Sequence, residues 1–184
     1  WELATRLTER AQLAQAVNTL KFEGGEIIGD NTDGAGLVRD ITRNLGFKIQ
    51  GKRILLMGAG GAARGVILPL LKECPALLAI ANRTPDKAHE LAQLFLPHGD
   101  ISSGDYASLA SCHFDLVINA TSSSLSNELP PLPAGVFLPG SLAYDMMYGK
   151  GLTPFLQFAQ SNGAAQLADG LGMLVEQAAE SFFL

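Results

Sequence analysis

Gly58, Gly60 and Ala63 stand at the spacing of a phosphate-cradling turn, and their neighbours decide whether that spacing has meaning. Before them runs Lys52-Arg53-Ile54-Leu55-Leu56-Met57, an apolar stretch of strand character, and after them come helix-forming residues. A strand, a tight turn and a helix in that order aim free backbone N–H groups and the positive end of a helix dipole at one point, which favours an anion. Gly58 permits the turn, Gly60 lets backbone approach a pyrophosphate, and Ala63 keeps the helix close to the strand. Ala59, Gly61 and Ala62 complete the loop. The reading is a dinucleotide site, with a plain strand-to-helix turn as the alternative.

Residues after the next apolar run choose the nucleotide. Leu77-Leu78-Ala79-Ile80-Ala81 has the continuous hydrophobicity of a strand buried on both faces. A carboxylate at the end of such a strand would bind a ribose 2′-hydroxyl and repel a 2′-phosphate. Here the end is Asn82-Arg83-Thr84, followed by Lys87. Arg83 offers a planar guanidinium for phosphate oxygens, Thr84 a hydroxyl and Lys87 a second positive charge. The expected cofactor is NADP rather than NAD; a solvated basic helix start is the bland alternative.

These groups need a scaffold. Residues 8–16 read as a helix with Thr8 as N-cap, 17–20 as extended, Glu23-Gly24-Gly25 as a hairpin turn, and 36–45 as a helix closed by Gly46. Strands are expected at 53–57, 77–81, 100–102, 116–119 and 142–146. Helices are expected at 62–72, with a kink at Pro69, and at 85–95, with a weaker one at 105–110. Residues 125–140 read as a proline-rich loop, and 154–160 and 172–184 as closing helices. On the last of these, Leu171, Leu174, Val175, Ala178 and Phe182 form an apolar stripe with Gln177 at its edge. Strand–helix alternation predicts an α/β fold with a doubly wound parallel sheet.

Composition narrows the function. Of 184 residues, 47% are hydrophobic, enough for a substantial core, and the net charge of −5 argues against a nucleic-acid surface. No apolar run reaches the roughly 18 residues of a membrane span. Cys74 and Cys112 form no metal or disulfide pattern; they read as free, partly buried thiols of a protein in the reducing cytoplasm. His89, His98 and His113 are scattered and read as surface residues, and no metal constellation is expected. The chain starts at Trp1 within a helical pattern and stops at Phe182-Phe183-Leu184 without a cap, which suggests a piece of a longer protein.

In order along nearly the whole chain come AVNTL (16–20), GDNTDG (29–34), GAGGAARG (58–65), NRTPDKA (82–88), NATSSS (119–124), YDMMYGKGLTPF (144–155) and DGLGMLVEQAA (169–179). Together they resemble shikimate dehydrogenase, the family that reduces 3-dehydroshikimate to shikimate with NADPH on the route to chorismate and the aromatic amino acids. The resemblance implies that residues 1–32 end an N-terminal α/β substrate domain, 33–169 form a Rossmann-like NADP domain, and 170–184 are a C-terminal helix returning to the substrate domain. It implies that Asp33 is the catalytic aspartate, and that Asn18, Asp33, Tyr148 and Gln177 are substrate ligands. It places cofactor contacts at Thr121, Ser122 and Ser123, with Met146 and Gly170 lining the nicotinamide. The family's catalytic lysine belongs to a segment before AVNTL and has no counterpart here, so the expected behaviour is NADP binding without useful turnover.

Each residue has a plainer reading. Asp33 suits a turn or N-cap, Asn18 a satisfied strand end, Gln177 an exposed helix, Tyr148 a boundary aromatic, and 121–123 a serine-rich loop. A quinate/shikimate dehydrogenase with relaxed cofactor use would carry an acidic residue after Ala81. A non-catalytic nucleotide-binding module would have no need of NTDG and EQAA. The expected partners are shikimate or 3-dehydroshikimate, with no nucleic acid or membrane, and the protein is expected to be a monomer or homodimer.

Overall fold

Two sheets of different character divide the chain, and the computed structural model describes residues 1–121 and 130–184. The smaller sheet holds β1 (Arg6–Leu7), β2 (Thr19–Glu23) and β3 (Glu26–Asp30), in the order β1-β3-β2. β2 and β3 form an antiparallel hairpin in which Glu23 faces Glu26. The two loop glycines take φ of +59° and +82°, the left-handed pair a twisted two-residue hairpin requires. Between β1 and β2 lies α1 (Glu9–Ala14), capped by Thr8, whose hydroxyl accepts from the Ala11 N–H at 3.3 Å.

The larger sheet is parallel throughout. It contains β4 (Arg53–Met57), β5 (Leu77–Ala81), β6 (Ile101–Gly104), β7 (Phe114–Asn119), β8 (Phe137–Asp145) and β9 (Gln166–Ala168), in the order β6-β5-β4-β7-β8-β9. This is the doubly wound Rossmann order, and its reversal between β4 and β7 opens a crevice at their carboxyl ends. The helices are α2 (Asp33–Arg39), α3 (Gly61–Lys72), α4 (Pro85–Phe95), α5 (Pro154–Ser161) and α6 (Leu171–Phe182). Ile54 and Leu56 of β4 pack into one core with Leu37 of α2, Val66 and Leu70 of α3, and Leu91 of α4. Leu55 and Met57 turn the other way, toward Phe155 and Leu156 of α5. Burial on both faces explains why these strands read as unbroken apolar runs.

Several expectations shift. α2 starts at Asp33 rather than at residue 36, and its final turn, Asp40–Asn44, widens into a π-helix before Gly46. Pro69 does lie inside α3, as expected. The weak helix at 105–110 is only a 3₁₀ turn at Ala107–Leu109. Part of the expected proline-rich loop is structured: Ala134–Val136 is a 3₁₀ turn and β8 begins at Phe137. Cys74 is exposed, with φ +54°, and Cys112 is partly buried. No helix among the described residues is long and apolar enough to cross a membrane.

The largest correction concerns α6. Its expected apolar stripe faces outward: Leu171, Leu174, Val175, Ala178 and Phe182 are all exposed. The helix instead meets α2 through Gly172, Met173 and Gln177. A Cβ on Gly36 would come within 2.7 Å of the Gln177 backbone nitrogen and 2.8 Å of the Met173 carbonyl oxygen. A Cβ on Gly172 would lie 2.2 Å from an Asp40 carboxylate oxygen. Small residues set this helix spacing, and the hydrophobic pattern of α6 does not reveal it.

Candidate active site

The glycine turn connects β4 to α3 as its residue types require. Gly58 has φ of +104°, a conformation open to glycine at little cost. It also lies tight against the chain leaving β7: a Cβ there would come within 3.2 Å of the Ala120 carbonyl oxygen and of Thr121. Gly60 is the N-cap of α3 and offers no side-chain cap, so the first N–H groups of the helix stay available. A Cβ on Gly60 or Gly61 would meet no atom within 4 Å, leaving the room that a phosphate chain needs.

A cleft of about 760 Å³ opens over this turn. That size lies within the roughly 300–1,000 Å³ typical of small-molecule sites. Its walls include Asp33, the residues of the glycine turn from Gly58 to Ala62, Asn82, Arg83, Thr121 and Met146. Asn82 braces the far wall by donating from Nδ2 to the Thr84 carbonyl oxygen at 2.9 Å. Tyr106, Met147 and Met173 also line the cleft; sequence reasoning passed over all three. Burial raises the Tyr106 hydroxyl to about 12 against the opposing charge of Arg83, so it remains a neutral phenol at the cleft wall.

Asp33 is tied to residues far away in sequence. Asn18 Nδ2 donates to Asp33 Oδ1 at 2.7 Å and to Gln177 Oε1 at 3.0 Å. Asn18 Oδ1 accepts from the Thr32 N–H at 3.0 Å and the Thr19 hydroxyl at 2.9 Å, which fixes the orientation of the amide. Ser181 Oγ donates to the Gln177 carbonyl oxygen at 2.9 Å and meets the hydroxyls of Thr19 and Thr32 at 2.6 and 3.0 Å. The start of β2, the start of α2 and the middle of α6 thus converge on one carboxylate in the cleft wall.

A second buried network supports the opposite wall. Asn119, at the end of β7, donates to Asp145 at 3.2 Å, and its side-chain carbonyl oxygen accepts from the Thr121 hydroxyl at 2.7 Å. Asp145 also accepts from the Met147 N–H at 3.1 Å and the Thr153 hydroxyl at 2.5 Å. Asn119 and Asp145 are both inaccessible to water. They lock together the strand ends that carry Thr121 and Met146.

The remaining expected residues are scattered. Gly170 makes its close approach to protein: a Cβ there would lie 2.2 Å from the Met146 carbonyl oxygen. Thr84 is exposed, and its side chain makes no cap bond to α4. Lys87 lines a second cavity, which shares Ala59, Gly60 and Gly61 with the cleft. Tyr148 is exposed and outside the cleft walls. Ser122 and Ser123 lie outside the described residues.

The sequence model of the shikimate / quinate 5-dehydrogenase family matches residues 40–127. A shikimate dehydrogenase (NADP(+)) from Dechloromonas aromatica is 67% identical over 184 residues, covering 100% of this chain and 67% of that protein. An Ael1 enzyme of known structure from Pseudomonas putida superposes with a TM-score of 0.93 at 55% identity, covering 98% of this chain and 66% of its own. Shikimate 5-dehydrogenase from Thermus thermophilus, solved in complex with NADP(H) and shikimate, gives a TM-score of 0.81 at 30% identity, covering 97% of this chain and 65% of its own. The chain therefore spans about two thirds of the length of these proteins.

Proposed function

Since the chain belongs to the shikimate dehydrogenase family, we propose that it is the NADP-binding portion of an enzyme that interconverts 3-dehydroshikimate and shikimate. The observation that carries this reading is the meeting of Asp33 with the glycine turn in one cleft. One places a proton-handling carboxylate and the other an anion seat within reach of a single bound pair.

The residues present suit the cofactor. The pyrophosphate belongs at Gly60, Gly61 and the N-terminus of α3. The adenosine ribose and its 2′-phosphate belong beside Asn82 and Arg83, where no carboxylate follows Ala81. Among the described residues Arg83 has no ion-pair partner, which leaves its guanidinium free for a phosphate. The nicotinamide end falls toward Met146 and Thr121. Bound NADPH supplies the hydride; the protein supplies position and proton control.

Asp33 and its two amide neighbours face the substrate. Asn18 holds one Asp33 oxygen, leaving the other to orient a cationic acid. In the family that acid is a lysine from a segment before AVNTL, and the pair moves a proton to or from the reacting oxygen as hydride moves at carbon. Three of the six lysines of this chain are tied up in ion pairs: Lys21 pairs with Glu23, Lys52 with Asp115 and Lys72 with Glu9.

Calorimetric titration with NADP and with NAD tests the cofactor assignment. The expected result is a preference for NADP of about tenfold or more, the worth of a charge-assisted phosphate contact. In Arg83→Ala that preference should fall sharply while NAD affinity changes little. Equal affinity of the unmodified chain for both nucleotides would overturn the reading.

A further inference from the structure

A second cavity of about 480 Å³ shares Ala59, Gly60 and Gly61 with the main cleft. Lys87 from the first turn of α4 and Arg64 from the first turn of α3 both line it. We propose that Arg64 completes the seat of the cofactor's 2′-phosphate, so that this phosphate is read by cations from two helices across the glycine turn. The proposal rests on the NADP reading and adds to it a specificity-determining residue.

Three observations carry it. Arg64 Nε donates to the Leu13 carbonyl oxygen at 2.6 Å, so its guanidinium is already oriented and needs little ordering to bind an anion. The remaining guanidinium nitrogens are positioned by that anchor. Arg64, Arg83 and Lys87 form no ion pair among the described residues. Three cations without carboxylate partners thus surround one glycine turn in a chain of net charge −5. Finally, Arg64 of α3 and Lys87 of α4 line the same cavity, so both helices bring a cation to an anion held there.

Glu90 is the carboxylate that lines this cavity. It stands one turn after Lys87 on α4 and repels an anion placed there, which gives the proposal a test of opposite sign.

The deciding measurement is the affinity of this chain for adenosine 2′,5′-bisphosphate relative to adenosine 5′-monophosphate. The two differ only in the 2′-phosphate. Arg64→Ala should lower the preference for the bisphosphate about fivefold or more with the monophosphate affinity unchanged, and Arg64→Lys should restore part of it. Glu90→Gln should raise the preference. A loss of affinity for both nucleotides alike would make Arg64 only a tether for α1 and overturn the proposal, as would an unchanged preference. Should Arg64→Ala not fold, Glu90→Gln decides alone: an unchanged preference overturns the proposal. Arg83→Ala separates the two readings. If it abolishes the preference while Arg64→Ala and Glu90→Gln leave it intact, NADP binding stands and the Arg64 seat falls. If the unmodified chain shows no preference, both fall.

Discussion

Asp40 is a carboxylate almost closed off from water, at 4% exposure. It survives there because the Tyr144 hydroxyl donates to it at 2.7 Å and the Asn44 amide at 2.9 Å, and because it lies against the first turn of α6, the positive end of that helix. Burial pushes the ionisation of Tyr144 upward, and the Asp40 acceptor and its charge push it further. Tyr144 therefore stays a hydrogen-bond donor at every working pH. Tyr144→Phe keeps the ring in the core and removes that donor, leaving a buried carboxylate short of one bond. The expected cost is about 1–3 kcal/mol, seen as a lower urea midpoint with unchanged slope. A midpoint identical to that of the unmodified chain would mean that Asp40 relies on Asn44 and the helix end alone. Nothing in the sequence singles out this pair: Asp40 reads as one more polar residue of α2, and only the fold brings Tyr144 to it.

The spacing of α2 and α6 decides whether Gln177 reaches Asn18. Glycine inside a helix costs about 1 kcal/mol relative to alanine, so Gly36 and Gly172 need a packing reason. That reason is backbone contact at Gly36 and the Asp40 carboxylate at Gly172. Gly36→Ala should push α6 away from α2, at about 1–3 kcal/mol for overpacking, and weaken the Asn18–Gln177 bond. Hydrogen exchange of α6 amides should rise in the variant, whereas Ala35→Gly, its neighbour on a less buried part of α2, should lower stability without loosening α6 selectively. Unaltered α6 protection in Gly36→Ala would show that the seam adapts. The misreading of α6 has the same root. An apolar stripe is evident in Leu171, Leu174, Val175 and Phe182, but periodicity cannot say what covers it, and here the buried contact is made by Gly172, Met173 and Gln177. By contrast β4, β5 and β7 were legible because strands covered on both faces must be apolar throughout. β1 and β9, of two and three residues, depend on pairing with β3 and β8 and leave no pattern of their own. The glycine turn was legible in its residue types; Asn18, Asp33 and Gln177 emerged only through family resemblance, because their meeting spans 159 positions of sequence.

Ionic contacts tie the small sheet to the helices of the large one. Arg10 of α1 binds Asp30 of β3 and reaches Glu180 of α6 at 3.0 Å, while Arg39 of α2 pairs with Glu180 at 2.6 Å and Glu176 at 3.7 Å. Burial works against ionisation of both Asp30 and Glu180. For Asp30 the hydrogen bonds from Arg10 and Thr8 and the charge of Arg10 outweigh it; for Glu180 those of Arg10 and Arg39 do. Both carboxyls therefore titrate below their ordinary values in the folded protein. A carboxyl whose folded value is depressed adds stability above its unfolded pKa, about 3.9 for Asp and 4.3 for Glu, and loses it as pH falls through the folded value. Stability of the chain should thus decline as pH drops below about 4, with these two groups contributing part of the slope. Arg10→Met keeps much of the side-chain volume and removes the charge. At neutral pH it should destabilise by about 2–4 kcal/mol, because Asp30 is left buried with only Thr8 and backbone for partners. In acid the deficit should shrink, since a protonated Asp30 no longer needs the guanidinium. Urea unfolding of both proteins from pH 7 down to pH 3 measures that convergence, and parallel curves would place the acid sensitivity in carboxyls outside this network.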